Sequence, residues 1–351
     1  MNRQKEYIVS IIMPTYNSER TLERSLCSIR NQSLEQDAVE ILILDGGSTD
    51  RTKEIAEKYG AIFLENKKRL PEFAKQIGLL EAKGKYGIFI DSDESFKNSD
   101  SLRRRIAFLE QHPDIKNLVS SGQVCVEGEK GINRYANYIG DPFSNYVYRY
   151  DGYNRISDMT RMYTYKKEGE AFLFTFAENE ALPLFDALGN MFEIEAARRI
   201  YYETGEDKSF AANIFSNMVG KTGCAAMLEN DYICHDPGLT VPVYLRKLRW
   251  RVKNNLFQKE GVGFRERSKG VQKLKKRQMK YVLYCLLVIP VLADSVRMAV
   301  TKKDSWFILH MFFAEYVFVV IAWYMFLKII KFPVKMEAAY GRTSENETKE
   351  Y

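Results

Sequence analysis

Hydrophobic and polar positions alternate between two periods over the first ninety residues. Ile8–Met13 is a continuous apolar run of strand length, the pattern of a strand buried on both faces. Leu22, Leu26 and Ile29 then recur at helical spacing behind Ser18, a residue type suited to cap a helix. Val39–Leu44 reads as a second strand, Thr52–Tyr59 as a short helix closed by Gly60, and Ala61–Glu65 as a third strand. Pro71–Lys83 reads as a helix with Pro at its start and Gly84 past its end, and Tyr86–Ile90 as a fourth strand. Right-handed crossovers stack such units into a mostly parallel sheet with helices on both faces. The expected fold class is therefore α/β and Rossmann-like.

The pattern changes beyond residue 240. In Val243–Phe257 the apolar positions Leu245, Leu248, Val252 and Leu256 keep helical spacing while Arg246, Lys247, Arg249, Arg251 and Lys253 occupy other faces. This predicts a basic amphipathic helix that lies on an anionic membrane surface. Tyr281–Ala293 is apolar but contains Pro290, residues 294–305 are mixed, and Trp306–Ile330 is apolar again. The last run exceeds the ~20 residues needed to cross hydrocarbon. His310 and Glu315 lie inside it and are expected to face protein rather than lipid. A two-helix membrane hairpin over 281–332 is the first expectation, and an interfacial or re-entrant first segment the alternative.

Composition narrows the classes. With 351 residues, 46% hydrophobic, 28% charged and only nine prolines, the chain can bury a large core and is neither disordered nor collagenous. Five scattered cysteines do not make a disulfide framework. The net charge of +6 is local, because residues 265–280 carry eight Lys/Arg against one Glu. A basic run that adjoins apolar segments suits lipid headgroups and argues against a nucleic-acid partner. Lys/Arg flank both ends of the apolar region, which places both flanks in the cytoplasm. Ile8–Met13 is interrupted by Pro14, Tyr16 and Asn17, so it does not read as an export signal. The expected organisation is a head at 1–235, a basic linker at 236–280, the anchor at 281–332 and a cytoplasmic tail at 333–351. The expected location is the inner, cytoplasmic membrane with the head in the cytoplasm.

In a doubly wound sheet, ligands collect beyond the carboxyl ends of the strands. Here those ends carry Pro14-Thr15-Tyr16-Asn17, then Asp45-Gly46-Gly47-Ser48-Thr49-Asp50, then Asp91-Ser92-Asp93-Glu94. Two carboxylates at i and i+2 leaving a buried strand can reach one hard cation, and a nucleoside diphosphate would supply further oxygens. Taken singly, each segment also reads as an ordinary turn or helix cap.

Together these segments resemble glycosyltransferase family 2, whose catalytic domain has the GT-A fold. The matching text is IVSIIMPTYNSERTLERSLCSIRNQSL at 8–34, VEILILDGGSTDRTKEIAEKYG at 39–60 and GLLEAKGKYGIFIDSDE at 78–94. The resemblance implies that Pro14, Tyr16 and Asn17 line a nucleobase pocket, that Asp45 with Gly46 holds the base edge, and that Asp91-Ser92-Asp93 is the DxD element. Asp93 would ligate Mn²⁺ or Mg²⁺, with Asp91 nearer the ribose or the metal's waters. Where the family has Arg-Asn before a helix glycine, this chain has Lys75-Gln76. Lys75 can supply charge to a diphosphate but not a planar two-pronged contact. ETGEDKSFAA at 203–212 resembles the family's downstream acidic motif, which makes Asp207 the candidate general base and Glu206 its neighbour or substitute. Both also read as acids in the first turn of a helix. His235 is a candidate metal or diphosphate ligand, and a structural histidine otherwise.

The expected activity is an inverting, metal-dependent, membrane-anchored sugar transfer from a nucleotide-diphosphate sugar, a UDP-sugar first among them, to a lipid-linked glycan in cell-envelope or exopolysaccharide assembly. A polyprenyl-phosphate sugar synthase and a catalytically inactive nucleotide-binding membrane scaffold are the alternatives, and a homo-oligomer stays open. The tyrosines between 133 and 168 suit either acceptor stacking or packing.

Overall fold

A computed structural model describes residues 6–129, 131–148, 155–178, 180–183, 189–206, 210–257 and 272–335. The strands are β1 Val9–Thr15, β2 Val39–Asp45, β3 Ile62–Glu65, β4 Tyr86–Phe89, β5 Glu94–Phe96, β6 Asn117–Val119, β7 Gly122–Cys125, β8 Thr164–Glu168, β9 Ala171–Thr175, β10 Met191–Glu193, β11 Cys224–Leu228 and β12 Tyr232–His235. The helices are α1 Leu22–Arg30, α2 Thr52–Lys58, α3 Pro71–Glu81, α4 Ser101–Gln111, α5 Gly131–Ile139, α6 Pro142–Tyr148, α7 Arg155–Met162, α8 Ile194–Glu203, α9 Ile214–Thr222, α10 Val241–Phe257, α11 Gln272–Leu286, α12 Ile289–Lys302 and α13 His310–Ile329. The chain divides into two compact units: Met1–Glu129 with Tyr150–Pro237, and Lys130–Arg149 with Gly238–Tyr351.

The first unit is the expected α/β body. Its nine-stranded sheet runs β3-β2-β1-β4-β10-β6-β11-β9-β8. β3, β2, β1 and β4 are mutually parallel, in register from Val9↔Val39 to Thr15↔Asp45. β10 enters antiparallel beside β4, so the sheet is mixed rather than uniformly parallel. Alternation along the central strands explains the two layers. Ile11, Met13, Ile41, Ile43 and Ile88 pack with Leu22, Leu26 and Ile29 of α1, while Ile12, Leu42, Leu44 and Phe89 pack against α3, α8 and α9 on the other face. Each fully buried aliphatic of this kind contributes about 1.5–3 kcal/mol. Gly78 of α3 is required by that packing, since a Cβ there would meet Ile12 Cγ2 at 2.2 Å.

One local expectation is corrected. Ser18 does not cap α1: its carbonyl accepts the Thr21 and Leu22 amides, and the cap position is Thr21, without a side-chain bond. The Ser18 hydroxyl turns instead toward Ser92, 2.9 Å away.

In the second unit, α13 with the short 3₁₀ turn before it gives one helix, Ser305–Ile329, long and apolar enough to cross a membrane by length and composition. α11 and α12 are bent by 91° at Leu287–Val288 rather than forming a continuous span. Pro290 lies in the first turn of α12, where its missing amide hydrogen costs nothing. His310 is buried as expected, between the hydroxyls of Tyr135 at 2.8 Å and Tyr284 at 3.3 Å. Tyr135 and Tyr138 are also buried, against Phe307 and, for Tyr135, Tyr244 and Phe313. For these two rings the structure shows packing.

Candidate active site

β3, β2, β1 and β4 are parallel, so their carboxyl ends share one edge of the sheet. The loops leaving them enclose a cleft of about 330 Å³ lined by Pro14 to Ser18, Arg20, Gly46, Asn66, Arg69 and Asp91 to Asp93. Tyr16 is 44% exposed on its wall. Asn17 sits in the left-handed region at φ 48°. Its amide donates to Ser48 Oγ at 2.8 Å and its side-chain oxygen accepts the Thr49 amide at 2.9 Å. The first two loops are thereby tied to each other.

Asp45 closes β2 beneath the loop that follows it. It is buried, and its carboxylate accepts four protein hydrogens: from Thr15 Oγ1 and Ser48 Oγ on one oxygen, and from the Gly47 and Ser48 amides on the other. A carboxylate offers about four lone-pair sites, so these bonds use its capacity to shape the loop. Gly46, not Asp45, reaches the cleft wall. Gly47 beside it has φ 90°, a conformation that favours glycine.

The acidic loop after β4 is held from behind. Glu94 accepts the Asp91 amide at 3.0 Å and Gln123 Nε2 at 3.1 Å. Burial, with Asp91 adding to it, pushes the Glu94 carboxyl well above the usual range. β12 pairs with β5, and the Asp236 amide donates to the Asp93 carbonyl at 2.9 Å. This register brings His235 Nε2 to 3.4 Å from Asp93 Oδ2. Asp91 and Asp93 both keep part of their side chains exposed, at 41% and 32%. Lys75 Nζ stands 3.6 Å from Asp91 Oδ1, with the Phe89 ring 5.6 Å away. Its charge is spent on the loop, and Lys75 does not line the cleft.

The cleft's cations are Arg20 and Arg69, which sequence reasoning missed. Asp236 accepts Arg20 Nη1 at 2.9 Å and Arg24 Nη2 at 2.7 Å. Burial works against ionisation of Asp236, but these bonds outweigh it and hold its carboxyl below the usual range. Arg69 has φ 59° at the turn after β3, with its amide on the Asn66 carbonyl. The missed signal was Lys67-Lys68-Arg69: strand three has a carboxyl end too, and the rule that singled out the other three applies there equally.

Of the downstream acids, Asp207 lies outside the described residues. Glu206 follows the end of α8 at φ 59°, exposed, with its amide on the Tyr201 carbonyl. It is thus past a helix terminus rather than in a first turn, and it does not line the cleft. Among the described residues no group of three or more His, Cys, Asp or Glu gathers as a metal set. Asp93 and His235 form an oxygen and nitrogen pair that suits a divalent cation only if a bound ligand completes the shell.

The fold is an α/β body with a cleft at the carboxyl ends of its four parallel strands. Residues 10–168 match the family model for glycosyl transferase family 2. An uncharacterized glycosyltransferase of Haemophilus influenzae is 36% identical over 111 residues, 30% of this chain and 43% of that protein. The poly(ribitol-phosphate) beta-N-acetylglucosaminyltransferase TarS of Staphylococcus aureus is 33% identical over 109 residues, 29% of this chain and 19% of that one. The chain therefore spans less than half the length of these relatives. Among solved structures, S. aureus TarS 1-349 in complex with UDP gives a TM-score of 0.47 at 14% identity, over 96% of this chain and 98% of that one. The mannosyltransferase PcManGT of Pyrobaculum calidifontis gives 0.48 at 14% identity, over 91% and 88%.

Proposed function

We propose that the protein transfers a sugar from a nucleotide-diphosphate donor, a UDP-sugar, to a lipid-linked glycan acceptor at the cytoplasmic membrane. One observation carries this reading: four parallel strand ends close a cleft that combines an exposed tyrosine ring, two arginines and the Asp91–Asp93 pair. A ring, cations and a metal-competent acid pair are the complement of a base, a diphosphate and its cation. The names of the family and of its curated relatives support the same reaction class.

The parts have distinct tasks. Pro14, Tyr16 and Asn17 pack the nucleobase, and Asp45 shapes the loop that carries Gly46 to it. Arg20 and Arg69 face the diphosphate. Asp93 and His235 would hold Mn²⁺ or Mg²⁺, which when bound neutralises the departing diphosphate. Asp207 takes the acceptor hydroxyl's proton as the sugar carbon inverts. The apolar, basic C-terminal region holds the protein at the membrane, where an acceptor confined to two dimensions is concentrated.

The test is full-length protein in detergent, incubated with a panel of nucleotide sugars and Mn²⁺ or Mg²⁺, with nucleotide diphosphate release followed with and without lipid extract. Lipid-dependent release from a UDP-sugar is expected, abolished in Asp93→Ala. In Asp207→Asn turnover should vanish while nucleotide binding by calorimetry persists. Release indifferent to metal, or wild-type turnover in Asp207→Asn, would overturn the assignment.

A further inference from the structure

The exposed apolar surface of the C-terminal unit is not arranged as a pair of membrane spans. On α11 it comprises Met279, Leu283 and Leu286, on α12 Leu292, Val296 and Val300, and at the elbow the consecutive exposed residues Leu286 to Ile289, the last 76% exposed. The two arms meet at 91°. α12 has 14 residues, about 21 Å at 1.5 Å per residue. With both arms inclined equally, the tip lies only about 15 Å below the level of their open ends, half the ~30 Å hydrocarbon thickness. The open ends are cationic: exposed Lys275 and Lys276 in the first turns of α11, and exposed Lys302 and Lys303 at the end of α12, with exposed Lys280 just past the middle of α11. Between tip and ends, Asp294 and Arg297 pair with each other at 3.3 Å. Positive charge at both open ends and none at the tip fits entry and return at one anionic surface.

α13 has a companion that conflicts with a straight crossing. α10 runs beside it: Tyr244 packs on Phe313, Tyr316 Oη donates to the Leu245 carbonyl, Arg249 Nε donates to Tyr324 Oη, and Lys328 Nζ donates to the Leu256 carbonyl. Carrying α13 through a bilayer would carry Arg246, Lys247, Arg249, Arg251 and Lys253 with it, and cations are among the costliest residues at a bilayer centre. Away from α10, the helix exposes apolar residues around its circumference: Phe312, Val319, Trp323, Met325, Phe326 and Ile329. It is the basic companion along its length, rather than one-sidedness of its own, that keeps α13 from crossing and leaves it in the interface.

We propose that the C-terminal unit is a one-leaflet wedge in an anionic membrane. The α11–α12 elbow enters to about the midplane and returns, α13 lies along the same leaflet, and the chain never crosses. This rests on the membrane-anchor reading above and replaces its hairpin by a re-entrant device that leaves both ends on the cytoplasmic side.

Single cysteines at Thr301→Cys, Ile289→Cys and Lys335→Cys, in the full chain with its five native cysteines replaced by alanine or serine, are probed in membranes with an impermeant maleimide. Thr301→Cys and Lys335→Cys should label in inverted vesicles and not in intact spheroplasts, and Ile289→Cys should resist labelling from either side. Labelling of Thr301→Cys in spheroplasts would mean a two-span hairpin, and labelling of Lys335→Cys there a single span. Aqueous labelling of Ile289→Cys would mean a surface elbow. Each would overturn the wedge while leaving membrane attachment intact. Recovery of the wild-type chain in the soluble fraction would instead overturn the anchor reading itself, and the wedge with it.

Discussion

At the scale of single residues, the cleft is shaped by acids that face away from it. Asp45 gathers four donors, so Asp45→Ala leaves the buried Thr15 hydroxyl and, in the part-buried loop, two backbone amides and the Ser48 hydroxyl without their acceptor. Unsatisfied buried groups cost about 1–3 kcal/mol each, partly relieved by relaxation and water. The expected loss is about 2–4 kcal/mol by thermal melting, with nucleotide affinity falling alongside, and an unchanged melting temperature would show that the loop holds itself. Asp50 acts similarly at the start of α2, accepting the Thr52 amide and hydroxyl and the Glu19 amide. Its burial would raise its pKa, but the Thr52 hydroxyl and these amides prevail and hold it below the usual value. Because the folded pKa is depressed, its contribution is present above the unfolded value of about 3.9 and is lost as pH falls through the folded one. Asp50→Asn should therefore cost about 1 kcal/mol at pH 7 and make the stability profile flatter below pH 4. A mutant profile parallel to wild type through that window would refute the role.

At the scale of elements, two contacts set how helices meet the sheet. α3 approaches β1 closely enough that Gly78→Ala would drive a methyl into Ile12, at about 1–3 kcal/mol for overpacking. Ile12→Ala in the same chain should recover part of that loss, because the two sites share one space; additive melting shifts would exclude the contact. α4 is fastened to the start of β12 by Arg105 and Asp231, both wholly buried with Nε to Oδ2 at 2.7 Å. Arg105→Met leaves a buried carboxylate unpaired, an expected loss of about 3–5 kcal/mol, whereas Arg105→Met with Asp231→Leu should recover most of it. Denaturant midpoints would separate the two outcomes. The helices and strands of the first ninety residues were legible because each carries its own periodicity and punctuation, such as Gly60 at φ 63° closing α2. β10, three residues long, was not, because neighbours 100 residues away define it. The metal pair follows the same division: Asp93 was readable from its strand end, but its approach to His235 depends on the β5–β12 register.

At the scale of the whole molecule, chain order and spatial grouping part company. The tyrosine-rich stretch after 130 reads as an insert in the head, yet α5 and α6 belong to the C-terminal unit. Hydropathy cannot reveal this, since the rings are amphipathic and their partners lie more than 100 residues later. Tyr135 sits among Tyr244, Phe307 and Phe313, Phe143 and Tyr146 pack on Tyr281, and Gly131 allows Trp306 so near that a Cβ would overlap its ring. A chain ended after Pro237 keeps α5 and α6 but loses all of these partners. Tyr135, Tyr138 and Tyr148 are buried, and aromatic side chains bury about 150–250 Å² each. The truncation thus exposes on the order of 500 Å² of new apolar surface, at the upper limit for a soluble monomer. Residues 1–237 are expected to elute as aggregate on size exclusion, whereas the same chain with 130–149 replaced by a short Gly/Ser linker should elute as a monomer and melt cooperatively. Monomeric behaviour of the unmodified 1–237 chain would mean that α5 and α6 do not depend on the C-terminal helices, and the two-unit division would have to be redrawn at residue 238.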